Sequence, residues 1–192
     1  MFLFRRPSDD FVLRTLEAQR DVELTYAEVG LTRESRCPPG FTRNHSRAVI
    51  GDGDACFRRA KEAVVHCRML NLGWLRVVSS SAPIAEGSLV CTLLRTMGLY
   101  SLNVARVVYV DDVAGSDQFG FGYGTLSEYP VSGEERFTVT LDRATGEVSY
   151  ELFSFSKPSS ALTRIGWPMV RRAQRRFCRD STAAMIAATR EA

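Results

Sequence analysis

The residues of this 192-residue chain with the clearest chemical potential lie in segment 134–141. Strand periodicity puts Glu135, Phe137, Val139 and Leu141 on one face, with Glu134, Arg136, Thr138 and Thr140 on the other. A carboxylate thereby shares an otherwise apolar face. Unpaired, it is costly there, so it needs a cation, hydrogen-bond donors or a raised pKa. Glu135 is the candidate polar anchor, or acid, of a mostly apolar pocket, with Tyr123 or Tyr150 as the side chains that could assist it. The opposing reading sets Glu135 at a strand end near solvent, paired with an arginine.

Segment 118–126 carries the second pattern. Phe119, Phe121, Tyr123 and Thr125 share one face, and Gly120, Gly122 and Gly124 share the other. Glycine weakens a strand interior unless a bend or the close approach of a neighbouring chain or ligand requires it. Curvature of a strongly coiled sheet, with the aromatic row as core, is preferred here to direct ligand contact. The two are compatible, because curvature opens a cavity beneath a covering helix.

Other motifs point away from common chemistries. Gly51-Asp52-Gly53 superficially resembles a phosphate-binding turn, but Cys56 stands where the third glycine would be. The two aspartates there would repel an anion, and no βαβ unit surrounds them. The five cysteines are irregularly spaced without a C-x-x-C, so neither a disulfide framework nor a zinc site is indicated. Free thiols are expected, with Cys91 packing as a small hydrophobe. His66 lies on a helix and His45 in a loop, and nothing brings further metal ligands to either. No metal, cofactor or covalent mechanism is expected.

The elements that would position these residues follow from periodicity and turn chemistry. Ser8 caps a short helix with an apolar face of Phe11, Val12 and Leu16, ending near Gln19. Segment 23–29 alternates as a strand, and Cys37-Pro38-Pro39-Gly40 marks a loop. Asp54 is the expected cap of a helix over 55–72. Strands are expected at 75–79, 88–97, 102–110, 118–126, 134–141 and 147–157, joined by short turn-rich connections that favour an antiparallel meander. A last helix over 168–188 has Val170, Ala173, Phe177, Ser181, Ala184 and Ala188 on its buried stripe and Arg172, Arg175 and Arg179 opposite. The expected fold is α+β: a curved antiparallel sheet of about seven strands wrapped around the long C-terminal helix, which covers its apolar face.

Composition is that of an ordinary globular protein, 45% hydrophobic and 24% charged, and residues 1–192 are read as one domain. No apolar stretch approaches the ~18–20 residues of a spanning helix. The N-terminal apolar run is too short for a signal peptide, and Asp9 and Asp10 argue against a transit peptide, so a cytoplasmic protein is expected. Net charge is +3, but the seven arginines beyond Pro158 give that end a surplus of five positive charges. They could meet nucleic acid or an anionic membrane. Nucleic acid is disfavoured because no aromatics interleave them for stacking. A solvated charged face is preferred to membrane association.

Phe121-Gly122-Tyr123-Gly124-Thr125-Leu126, then Pro130 and Ser132-Gly133-Glu134-Glu135-Arg136-Phe137, resembles the uncharacterised bacterial and plant family UPF0548. Leu24-Thr25-Tyr26, Arg106-Val107-Val108-Tyr109-Val110, Phe155-Ser156-Lys157-Pro158 and Arg172-x-Gln174-x-x-Phe177 match as well, so the resemblance spans nearly the whole chain. The family pattern commonly places Gly-His before the proline, where this chain has Glu128-Tyr129. The family has no established enzymatic activity, so the resemblance implies a fold and a site rather than a reaction. Some plant relatives carry a plastid outer-envelope label, which keeps a membrane reading open. The element order also resembles the helix-grip architecture of START and Bet v 1 type ligand-binding proteins.

The leading reading is a protein that binds a small apolar or amphipathic molecule between the sheet and the C-terminal helix. Phe119, Phe121, Tyr123, Phe137 and Tyr150 would line the site, with Glu135 as its polar anchor. An enzyme using Glu135 as general acid or base is the main alternative, and a membrane-associated protein acting through the arginine-rich helix is the third.

Overall fold

The computed structural model describes residues 2–80, 84–96, 98–127 and 129–190. Glu128, and Met97 at the expected end of a strand, lie outside the described residues. In chain order the elements are β1 (Phe2–Leu3), α1 (Asp9–Ala18), β2 (Thr42–Asp52), α2 (Gly53–Val65), a 3-10 turn (Arg68–Leu70), β3 (Leu75–Ser80), β4 (Leu89–Thr96), β5 (Leu99–Asp111), β6 (Gln118–Thr125), β7 (Val131–Leu141), β8 (Glu147–Pro158), α3 (Ala161–Ile165) and α4 (Trp167–Thr189).

Strands β2 to β8 form one antiparallel sheet in the order β2-β8-β7-β6-β5-β4-β3, and β1 adds a short pairing to the start of β5. The meander from β3 to β8 is the one the turn chemistry implies, with each strand beside its successor. Edge strand β2 closes the order by pairing with β8, which places the N-terminal half of the chain beside the C-terminal half.

Both faces of the sheet are covered. Helices α2 and α4 pack on the inner face over Phe121, Phe137, Val139, Tyr150 and Leu152. On the outer face α1 sets Val12 against Cys91, Leu93, Leu102 and Val104. Cys91 is fully buried, as expected of a thiol packing as a hydrophobe. Ser8 caps α1 by accepting from the Phe11 N–H at 3.3 Å.

The structure corrects the sequence reading in several places, and the helix expected over 55–72 ends at Val65. Residues 23–29 form no strand; they cross the outer face, where Thr25 N donates to the Thr125 carbonyl at 3.1 Å and Tyr26 is buried. Their alternation is real, but its cause is Tyr26 turning inward onto the back of β6. Strand β2 takes the place in the sheet, so His45 is on a strand rather than in a loop. Helix α2 begins at Gly53 with Asp52 at its N-cap position, making Asp54 a first-turn residue rather than the cap.

Helix α4 is buried along Ser181, Met185 and Thr189, with Gln174, Phe177 and Cys178 half-buried, whereas Ala173 is exposed. The stripe therefore lies about one position round from the one expected. Phe177 packs against Phe137 with ring centroids 6.4 Å apart, so the docking side is the one anticipated.

The glycine row of β6 has a specific explanation. A side chain on Gly122 would lie 2.4 Å from the Tyr109 ring, and one on Gly124 would lie 2.2 Å from the Tyr26 hydroxyl. The outer face of β6 is bare so that two tyrosines can lie flat on its backbone. A register shift between β5 and β6 falls between Val107 and Tyr109, opposite the same glycines.

Candidate functional site

Register assembles the inner-face cluster. Tyr123 of β6 lies opposite Glu135 of β7, which lies opposite Ser154 of β8. The Tyr123 hydroxyl donates to Glu135 Oε2 at 2.8 Å. Among the described residues no arginine, lysine or histidine lies within ion-pair distance of Glu135. The arginine partner of the opposing sequence reading is therefore not there.

Burial pushes the Glu135 carboxyl up to about 7, while the hydroxyls of Tyr123 and Ser154 pull the other way. Desolvation wins because neutral hydroxyls supply only part of what water gave the anion. Glu135 is nevertheless half-buried rather than sealed, as is Tyr129 beside it. The Tyr123 hydroxyl is raised by burial and then by the Glu135 charge, and Tyr129 is raised by the same two causes in the same order. The buried Thr92 hydroxyl faces Tyr129.

From α4, Cys178 closes the cluster. Its thiol is pushed up to about 11, first by burial and then by the Glu135 charge. At neutral pH it is a thiol, the form in which cysteine is a poor nucleophile. Tyr150 shares a 2.7 Å hydrogen bond with Ser181 of α4, which ties the helix to the sheet beside the cluster.

The six residues singled out in the sequence all lie on the inner face, in two different roles. Phe121 and Phe137 are 0% exposed and pack with Tyr123 at centroid distances of 5.5–6.3 Å, forming closed core. Tyr150 is equally enclosed. Phe119 sits toward the other end of β6, under the Lys61 ammonium of α2 at 4.8 Å from the ring centroid. Glu135 and Tyr123 make the polar cluster, joined by Tyr129, Thr92, Ser154 and Cys178, to which sequence reasoning gave no role. Tyr129 carried a signal: it stands where the family pattern places histidine.

Glu134 was read as part of the polar, outward face. It does face outward, but it is only 2% exposed. Its carboxylate accepts from the Tyr26 hydroxyl (2.7 Å), Gly30 N (2.7 Å), Thr32 N (2.9 Å) and the Thr32 hydroxyl. Adjacent Arg136 donates to the Arg33 carbonyl and the Ser35 hydroxyl and pairs with Glu151. Of the two neighbouring glutamates, one is fully satisfied by donors and holds the N-terminal segment, while the other has a single strong donor and faces the helix.

This arrangement, an open antiparallel sheet covered by a C-terminal helix with a polar group on its inner face, defines an α+β protein of the helix-grip class. The Zhui aromatase/cyclase from Streptomyces sp. R1128 shares the fold with TM-score 0.51 and 8% identity, covering 78% of this chain and 93% of that one. Protein Ms6760 from Mycobacterium smegmatis does so with TM-score 0.52 and 13% identity, covering 79% and 93%. At these identities the likeness is one of fold.

The chain belongs to the family described as a domain of unknown function, DUF1990, which matches residues 25–184. A UPF0548 protein of Deinococcus radiodurans is 35% identical over 98% of both chains. One of Dictyostelium discoideum is 32% identical over 98% of this chain and 95% of its own. Among the described residues no helix is long and apolar enough to cross a membrane, and no three His, Cys, Asp or Glu side chains converge as a metal site.

Proposed function

We propose that the protein binds a small, mostly apolar molecule between the inner sheet face and α4, with the Glu135–Tyr123 pair as its polar anchor. The observation that carries this reading is a carboxyl on an apolar face, raised to about 7, without an ionic partner among the described residues and still half-buried. Structural carboxylates are normally satisfied, as Glu134 is on the opposite face. Fold likeness to an aromatase/cyclase is consistent with such a pocket and identifies no ligand.

A neutral solvatochromic dye such as Nile red tests the proposal. At about pH 5, where the Glu135 carboxyl is still protonated in the folded protein, wild-type protein should bind it with a blue-shifted emission, and Glu135→Gln and Tyr123→Phe should each change its affinity several-fold while leaving the unfolding midpoint nearly unchanged. Absence of dye binding, or identical affinities in all three proteins, would defeat the reading.

Acid–base catalysis is the second reading, favoured by the same carboxyl titrating near neutrality. Mass spectrometry of a captured ligand separates the two. A compound altered by wild type and left intact by Glu135→Gln indicates catalysis; a compound returned unchanged by both indicates binding.

A further inference from the structure

Edge strand β2 and helix α4 flank a broad, open cleft of about 430 Å³ that borders the Glu135 cluster at Cys178. Arg43 and His45 line it from β2, and Arg171, Arg175 and Arg179 line it from α4. Among the described residues no aspartate or glutamate lines it, although Glu151 reaches His45 at 3.6 Å. Arg179 is already paired with Asp180 at 3.0 Å. Among the described residues Arg43, Arg171 and Arg175 have no carboxylate within ion-pair distance.

Arg171 is held in place without being neutralised. Its Nη1 donates to Asn44 Oδ1 at 2.6 Å and to Gln174 Oε1 at 2.7 Å. Asn44 is itself braced by donating to the Ser154 hydroxyl at 3.2 Å, and Gln174 by donating to the Ser156 hydroxyl at 2.8 Å. Two neutral amides thus orient the guanidinium while Nε and Nη2 stay available as donors.

We propose that this cleft binds a phosphate dianion, carried by a soluble phosphate ester or by a lipid headgroup. Arg171 and Arg175 set two uncompensated guanidinium groups along the cleft, with Arg43 at its β2 rim, and an anion relieves their mutual repulsion. Guanidinium forks match the tetrahedral oxygens of phosphate, and two negative charges answer this surplus better than the single charge of a carboxylate. Charged side chains on an edge strand also deter strand pairing. That role accounts for Arg43 and Arg47 on β2, but it requires neither the bracing of Arg171 nor the convergence of Arg175 on the same cleft.

Calorimetric titration of inorganic phosphate into the protein, with sodium chloride at matched ionic strength as the blank, tests the site. Arg43→Gln and Arg175→Gln should each weaken phosphate binding about tenfold, as expected for loss of a charge-assisted contact. Arg172→Gln, exposed on the same helix but off the cleft, should bind as wild type does. A parallel arm measures co-sedimentation with phosphatidylcholine vesicles with and without phosphatidic acid. Binding of free phosphate assigns a soluble ester, whereas vesicle binding that needs phosphatidic acid and is lost in Arg175→Gln assigns a lipid headgroup; either supports the site. Binding in neither arm, or an equal loss in Arg172→Gln, overturns it. Neither the Arg43 nor the Arg175 side chain makes a hydrogen bond or ion pair among the described residues, so unchanged unfolding midpoints should accompany the loss.

Discussion

Glu134 and Glu135 are consecutive, yet one backbone step separates a carboxylate that organises the fold from one that is available to do something. The difference is measurable through pH. The folded protein holds the Glu135 proton up to about 7, against an ordinary value of 4.5, so the folded state binds it more tightly than the unfolded chain does. The associated stability is fully present below about pH 4.5 and is lost as pH rises through about 7, a change of roughly 3 kcal/mol. Glu135→Gln removes that titration. Urea unfolding at about pH 5 and about pH 8 should show the variant gaining on wild type by a few kcal/mol across the interval. Parallel stability profiles would mean that the carboxyl is ordinary. Period-two alternation was enough to single out Glu135, because facing inward depends only on local geometry. That Glu134 would be buried more deeply still was not legible, since its donors come from residues a hundred positions away.

Elements were legible where one face was apolar and illegible where packing partners were distant. Strands β3 to β8 declare themselves by Val, Leu and aromatic residues between short turns. Strand β2 does not: Arg43, His45 and Arg47 alternate with Asn44, Ser46 and Ala48, and a polar edge strand has no hydrophobic signature. The glycines of β6 were noticed, but their reason lay in rings contributed by β5 and by the N-terminal segment. That reason is testable. Gly122→Ala drives a methyl group into the Tyr109 ring, whose far end is held by a 2.7 Å hydrogen bond to Thr32. The ring cannot retreat freely, and an overpacking cost of about 1–3 kcal/mol is expected. Adding Tyr109→Phe releases the tether, so the double variant should be more stable than the sum of the two single effects implies, as read from urea midpoints. Strict additivity would show that Gly122 and Tyr109 are not coupled in this way.

At the scale of the whole molecule, the outer layer depends on few contacts. Residues 20–36 contribute little apolar burial beyond Tyr26 and are clasped by Glu134 and Arg136. Glu134→Ala removes the acceptor for two hydroxyls and two backbone N–H groups, at an expected cost of about 3 kcal/mol or more. Amide hydrogen exchange should accelerate at Gly30 and Thr32 while the β7–β8 ladder keeps its protection. Unchanged exchange at those two amides would show that something other than Glu134 secures the segment. The class of fold was legible in the order of elements, because a meander followed by an amphipathic helix leaves few ways to cover the sheet. The docking of residues 20–36 on the outer face was not, since Glu134 and Arg136 carry most of its specification.

The clasp also imposes an order on synthesis. Thr32 and Glu134 lie 102 positions apart, and β6, whose glycines receive Tyr26 and Tyr109, is made only shortly before Glu134. At typical translation rates the N-terminal segment waits on the order of 5–20 s after leaving the ribosome before its acceptor exists. For that time Tyr26 and its neighbours have nothing to dock on, and a nascent chain interrupted before β7 would carry them exposed. The segment made among the first is thus among the last to find its place.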